Sequence, residues 1–249
     1  MLQSDRAILV FARTPGCEAE HKPLGDVRRA RRVHEMLLGR LRQALAQVHA
    51  DADVVLVLDG AAAECEAVAT RFRAEIEAPV HLARQSAGSF GQRMARAVAQ
   101  VQAWGARTVV LVGADTPELT AHHVDDALRR AEAGESVIGP SADGGFWLAA
   151  APVARFDGIE VLPWETDRLC AALGFRLGPC HTLPMLADLD DVSDIRGLAD
   201  RLACAGDILL ARALVALVSS ATQVASEGRV LTRSLLVALP AEHRGPPAA

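Results

Sequence analysis

Between Arg6 and Ala151 the chain alternates between two hydrophobic periods. Arg6–Ala12 (RAILVFA), Asp53–Leu58 (DVVLVL), Val80–Ala83 and Thr108–Val112 (TVVLV) are apolar runs too short for lone helices and biased toward β-branched residues, the pattern of strands buried on both faces. The segments between them carry the helical period. Val33, Met36, Leu37, Leu41, Leu45 and Val48 trace one face of a helix from Val27 to Val48, and Ala61–Ala74 predicts a second. Phe90, Met94, Val98 and Val101 form the buried stripe of a third. A helix over Ala121–Ala133 leads into two β-prone runs, Ser136–Gly139 and WLAAA, which flank a tight turn at Asp143-Gly144-Gly145. Strand and helix in alternation predict an α/β fold, three-layered and Rossmann-like, with a mostly parallel central sheet and right-handed crossovers.

Local signals mark the boundaries. Ser89 and Gln92 fit a capping box and Gly105 supplies the stop; Thr120 caps the next helix, which closes on Gly134. Gly113 and Pro117 end the strand at Val112, so Asp115 is delivered just past its carboxyl end, where open α/β sheets place their ligand chemistry. RTPGCEAEHKPLGD, after the first strand, reads as a polar loop with two prolines and two glycines. Further on, Pro163-Trp164-Glu165-Thr166 introduces a short helix through Leu173, and Phe175–Leu177 reads as a small strand. Asp188, Asp190 and Asp194 lie before and inside the start of a last helix, which Asp191 or Ser193 can cap. The economical partition is one domain over residues 1–204, an apolar extension over 205–239 packed on it or offering a homodimer surface, and a disordered end at 240–249.

Composition narrows the function classes. A net charge of −5 argues against nonspecific nucleic-acid binding as the main task. The five cysteines are widely spaced and form no CxxC pair, so neither a disulfide framework nor a zinc knuckle is indicated. No apolar run approaches bilayer length, and Arg13 interrupts the N-terminal apolar segment too early for a secretory signal, so a cytoplasmic protein is expected. The basic residues are lopsided: 25 arginines and one lysine, Lys22.

The residues that gather at the carboxyl edge of the expected sheet carry the chemistry. The loop after the first strand offers Arg13, Gly16 and Lys22 to a phosphate, although GxxxxGK[ST] and GxGxxG are both absent and a solvated loop explains these residues equally well. Gly88, Ser89 and Arg93 at a helix N-terminus suit an anion, or simply a cap. Arg28, Arg29, Arg31 and Arg32 are either a solvated face or a second ring of positive charge. Adjacent His122 and His123 point in different directions and make no metal pair. Acidic and basic groups on one rim, with Asp115 and Asp143 and at least one of Asp188 and Asp190, suit Mg²⁺ or Mn²⁺ bridging a diphosphate.

In order along the chain, ILVFARTPG, GSFGQRM, VVLVGADTPEL, VIGPSADGGFWL, PWET and DLDDVSDI resemble the DUF2064 family, glycosyltransferase-like members of the GT-A nucleotide-diphospho-sugar transferase superfamily. The resemblance spans roughly residues 6 to 200. It implies a GT-A fold and a nucleotide held by Ala12, Arg13, Pro15, Gly16, Lys22, Gly88 and Arg93. It implies a metal on Asp115 and Asp190, catalytic roles for Asp115 and Asp143, and an unknown small-molecule acceptor near Gly144, Gly145, Trp164 and Glu165. Asp188, Asp190 and Asp194 match the family's D-x-D-T-x-x-D, with Asp191 in place of Thr. The first loop departs from PGxxKTRL: Lys22 and Leu24 align, but Pro23 replaces Thr and the Arg is missing. The expected function is metal-dependent glycosyl transfer from a nucleotide-diphospho-sugar. Nucleotidyl transfer from an NTP is the alternative, and the altered loop motivates a third, a catalytically silent nucleotide-binding protein.

Overall fold

A computed structural model describes residues 1–216 apart from 23, 25, 188, 190–191, 205–206 and 209, with backbone only for Val192 and Ser193. The elements follow as β1 (Arg6–Arg13), α1 (Pro15–His21), α2 (Val27–Leu45), β2 (Asp53–Asp59), α3 (Ala62–Glu75), β3 (Val80–Arg84), α4 (Phe90–Ala103) and β4 (Thr108–Val112). Then come α5 (Ala121–Glu132), β5 (Ser136–Pro140), β6 (Phe146–Pro152), α6 (Leu169–Leu177), β7 (Cys180–Thr182) and α7 (Val192–Cys204), with two 3₁₀ turns after β6. The seven strands form one sheet in the order β3-β2-β1-β4-β6-β5-β7, parallel throughout except for β6. The chain leaves β1 toward β2 and β3, then returns to the other side of β1 as β4. That reversal opens a crevice between the carboxyl ends of β1 and β4.

The alternation of side chains across the strands builds two cores. Ile8, Val10 and Ala12 of β1, with Val110 and Val112 of β4, pack under α2, α3 and α5. Ala7, Leu9 and Phe11, with Val109 and Leu111, face α4, α6 and the 3₁₀ turns. Both central strands are thus sealed on both faces, as their unbroken apolar runs require. A third cluster joins Ala19 of α1 and Val33 and Leu37 of α2 to Ile195 and Leu198 of α7 and onward to Ala211 and Leu214. Most of the expected 205–239 extension, and all of the 240–249 end, lie outside the described residues.

Two segments differ from the sequence expectation. The loop after β1 contains a helix, α1, with Pro15 at its first position. A helix this short is marginal alone, and α3 holds it: Glu64 accepts from the Gly16 N–H at 2.9 Å and from the Thr14 hydroxyl at 2.8 Å. Phe175–Leu177, expected as a strand, completes α6, because Leu173 and Leu177 one turn apart both enter the second core. The strand comes after it, as β7, and Pro163–Thr166 forms a turn that leads into the expected helix, which begins at Leu169 and runs beyond Leu173. The expected capping box forms at Ser89/Gln92, and the expected cap at Thr120 is itself a box, completed by His123. His123 is engaged there and lies 5.1 Å from the Trp147 ring.

The β5–β6 hairpin fits the sheet through one close approach. Trp147 is 2% exposed, its indole N–H donates to the Pro184 carbonyl, and its ring lies over Gly139. A Cβ at Gly139 would stand 2.4 Å from the ring. Gly139→Ala should therefore cost about 1 to 3 kcal/mol by overpacking, read as a lowered midpoint in urea with an unchanged slope; a midpoint equal to wild type would show that the hairpin can yield.

Candidate functional site

At the crevice between β1 and β4 lies a cavity of about 330 Å³. The register of the two strands sets its floor. Val10 pairs with Val112, so Phe11–Arg13 and Gly113–Asp115 emerge side by side as the strands end. Around them stand Glu18 and Lys22 from α1 and its end, His34 and Leu37 from α2, and Gln85 beyond β3. Phe90 and Arg93 of α4 join them, as do Asp143, Gly145 and Phe146 of the hairpin turn and Trp164 and Glu165 of the turn before α6.

Charge crosses the cavity mouth in an alternating line. Arg13 Nη1 lies 3.1 Å from Glu18, Lys22 Nζ lies 3.7 Å from Glu18, and the same ammonium donates to Asp115 Oδ2 at 3.0 Å. The backbone ties the rim together as well: the Leu189 N–H donates to the Asp115 carbonyl. Arg93 is held from three sides. It donates to Gln85 Oε1, lies 3.6 Å from Asp59, and stacks 5.4 Å above the Phe90 ring and 6.0 Å from that of Phe11. Gln85 is itself anchored by donating to the Ala12 and Val57 carbonyls. Arg13 Nε is buried with no hydrogen-bond partner among the described residues, a donor suited to an incoming anion.

His34 is 5% exposed and hydrogen-bonds the backbone of Lys22, while its Nε2 is buried without a hydrogen-bond partner among the described residues. Burial pushes its pKa down, against the opposing pull of Glu18, so the ring is neutral near pH 7. Asp143 Oδ1 accepts from the Ser141 hydroxyl and from the Gly145 N–H, fixing that carboxylate at the turn.

Of the site residues expected from sequence, Ala12, Arg13, Lys22, Arg93, Asp115, Asp143, Gly145, Trp164 and Glu165 share this cavity wall. Pro15, Gly16, Gly88 and Gly144 do not line it. Pro15 is buried in α1, and Gly16 offers no N–H to a phosphate because Glu64 takes it. Gly88, at φ +125°, leads into the α4 cap. Gly144, at φ +90°, leaves no room for a Cβ against the Asp167 backbone and accepts from the Cys170 N–H, joining the turn of Asp143 to the start of α6. Asp188, Asp190 and Asp191 lie outside the described residues, and Asp194 sits in the first turn of α7.

None of the four arginines at the start of α2 lines the cavity. Arg28 and Arg32 are exposed, Arg29 pairs with Asp26, and Arg31 pairs with Glu35 and Glu64. Among the described residues no three His, Cys, Asp or Glu side chains converge as a metal cage. Asp115 supplies one hard carboxylate, at present facing the Lys22 ammonium.

The sequence reading missed Glu18, His34 and Gln85. Glu18 could have been found one helical turn before Lys22, and His34 as a polar residue on the apolar face of α2. Gln85 carries no local signal; its partners come from other strands.

No curated protein matches the sequence. Among solved structures, a candidate nucleotide-diphospho-sugar transferase from Desulfovibrio desulfuricans G20 is 25% identical, with a TM-score of 0.69 over 88% of this chain and 99% of that one. A cytidylyltransferase from Leptospira borgpetersenii serovar Hardjo-bovis shares the fold at 16% identity, with a TM-score of 0.53 over 81% of this chain and 87% of the other. The family described as "Uncharacterized protein conserved in bacteria (DUF2064)" matches residues 33–166, more than half of the sequence, and the chain belongs to that family.

Proposed function

We propose that this protein is a transferase acting on a nucleotide-activated substrate, and that the reaction is glycosyl transfer from a nucleotide-diphospho-sugar. The observation that carries the reading is the convergence of Arg13, Lys22 and Arg93 with Asp115 at the switch-point crevice. The likeness to the Desulfovibrio candidate nucleotide-diphospho-sugar transferase supports it. Nucleotidyl transfer would use the same crevice, and the likeness to a cytidylyltransferase fold keeps it as the second reading.

In this reading Arg13 and Lys22 bind the diphosphate, and Arg93 flanks it. Asp115, with Asp190, would hold Mg²⁺ or Mn²⁺; the carboxylate chemistry suits a hard cation. Such an ion would neutralise charge on the departing diphosphate. Lys22 then exchanges one anion for another, leaving the Asp115 carboxylate for a phosphate oxygen. Asp143, fixed by Ser141 and Gly145, accepts the proton of the acceptor nucleophile. Within the described residues no helix is long and apolar enough to cross a membrane.

Thermal-shift measurements across NTPs and nucleotide-diphospho-sugars, with and without Mn²⁺, test the assignment. A metal-dependent shift with nucleotide-diphospho-sugars is expected; one confined to a single NTP favours nucleotidyl transfer, and no shift with any nucleotide removes both enzymes and the silent nucleotide-binding form with them. Asp115→Asn should abolish the metal-dependent part while keeping the fold, and retained metal-dependent affinity would sink the assignment. Lys22→Ala should weaken nucleotide binding by about 1.5 to 3 kcal/mol, as loss of a charge-assisted contact does; equal affinity by calorimetry would remove Lys22 from the site.

The neutral state of His34 has its own signature. Its folded pKa lies below the ordinary value of 6.5, so as pH falls through that value the unfolded chain takes up the proton first and stability falls until His34 itself titrates. His34→Gln should flatten the fall in unfolding free energy as pH drops below 6.5. Parallel curves for the two proteins would show that His34 is not held neutral.

A further inference from the structure

The two sides of the cavity differ in chemistry. The three cationic side chains reach it from β1, from the end of α1 and from α4, whereas the lining residues of segment 141–169 include Asp143 and Glu165 and no cation. The same segment supplies an aromatic wall. Trp164 lies 5.2 Å from Phe90 and 6.1 Å from Phe146, ring centre to ring centre. Its indole N–H is spent on the Ile159 carbonyl at 2.7 Å, so what Trp164 offers a ligand is apolar ring surface.

This wall is built in place. Trp164 fits against the first turn of α4 because residue 91 is glycine, where a Cβ would come within 2.4 Å of the indole. The Cys170 N–H binds the Gly144 carbonyl at 2.9 Å, stitching the turn that carries Asp143 to the segment that carries Glu165. Glu165 is exposed and adopts φ +60°, the one left-handed non-glycine residue among those described. Such a conformation persists where the surroundings over-determine it, and it recurs at ligand clamps.

We propose that the acceptor taken by this half of the cavity is a small molecule with an aromatic or alicyclic body and a hydroxyl or amine nucleophile, and not a phosphate ester. The proposal rests on the transferase reading and specifies its acceptor. Trp164 and Phe146 contact the apolar body, and Asp143 and Glu165 receive the hydroxyl or ammonium group. A phosphate ester would set its negative charge beside two carboxylates in a partly enclosed space, where like charges repel more strongly than in bulk water. A hydroxyl passes its proton to Asp143 as its oxygen bonds to the transferred carbon; an ammonium gives one proton to Asp143 first and attacks as the neutral amine with the lone pair so freed. The electron pair of the broken carbon–oxygen bond leaves on the nucleoside diphosphate.

Calorimetric titration of the full chain with 2-phenylethanol, tyramine and glucose 1-phosphate tests this, alongside separate titrations with nucleotide-diphospho-sugars. The first two should bind, and glucose 1-phosphate, whose phosphate the cationic half can take, should not displace them. Trp164→Ala should weaken both by about tenfold, the loss of one aromatic contact, with circular dichroism reporting whether that variant folds. Glu165→Gln, at an exposed position, should weaken tyramine several-fold and leave 2-phenylethanol unchanged. Displacement of either compound by glucose 1-phosphate, or affinities unmoved in both variants, would overturn the proposal even if nucleotide-diphospho-sugars bind. Aromatic binding that shows these variant effects in a protein deaf to every nucleotide would uphold the pocket chemistry and remove the transferase reading.

Discussion

Strands β1 and β4 are buried on both faces, and this constraint organises the rest. Neither strand can carry a charged side chain along its interior without stranding it between two apolar layers. The polar groups that do chemistry therefore emerge where the strands end, and the shared register of the pair makes them emerge together: Ala12 and Arg13 beside Gly113 to Asp115. Position just past the end of β4, more than residue type alone, puts Asp115 in the cavity wall.

What the strand ends deliver is nearly neutralised before any ligand arrives. Arg13 faces Glu18, Lys22 faces Glu18 and Asp115, and Arg93 faces Asp59. An anion entering here exchanges partners instead of meeting bare positive charge, which lowers the net gain from any single contact. Selectivity follows from the same arrangement. Only a ligand that supplies a negative group for the lysine and a cation or donor for the released carboxylate repairs every pair it breaks.

The fold was legible in the sequence wherever its cause is local. Buried strands show as β-branched runs, and the box at Ser89 and the cap at Thr120 show because a cap lies within three residues of the groups it serves. Helix α1 was not legible, because the carboxylate that holds it, Glu64, belongs to α3. Phe175–Leu177 misled because its composition suits a strand while the spacing of Leu173 and Leu177 suits a helix packed on the sheet. The site divides in the same way. Asp115 and Asp143 follow from strand and turn positions, whereas Gln85 acquires its role only when three strands and α4 bring Ala12, Val57 and Arg93 to it.

The chain's one lysine has a consequence of a different kind. With 25 arginines around it, Lys22 carries the sole ε-amine of the molecule, and that amine stands 3.0 Å from Asp115 at the mouth of the cavity. Guanidinium groups, protonated at any working pH, are poor nucleophiles, so an amine-selective reagent has one side chain to find. The composition thereby gives the site a chemical address: the rate at which that amine reacts reports whether the crevice is filled, without a substrate having to be known.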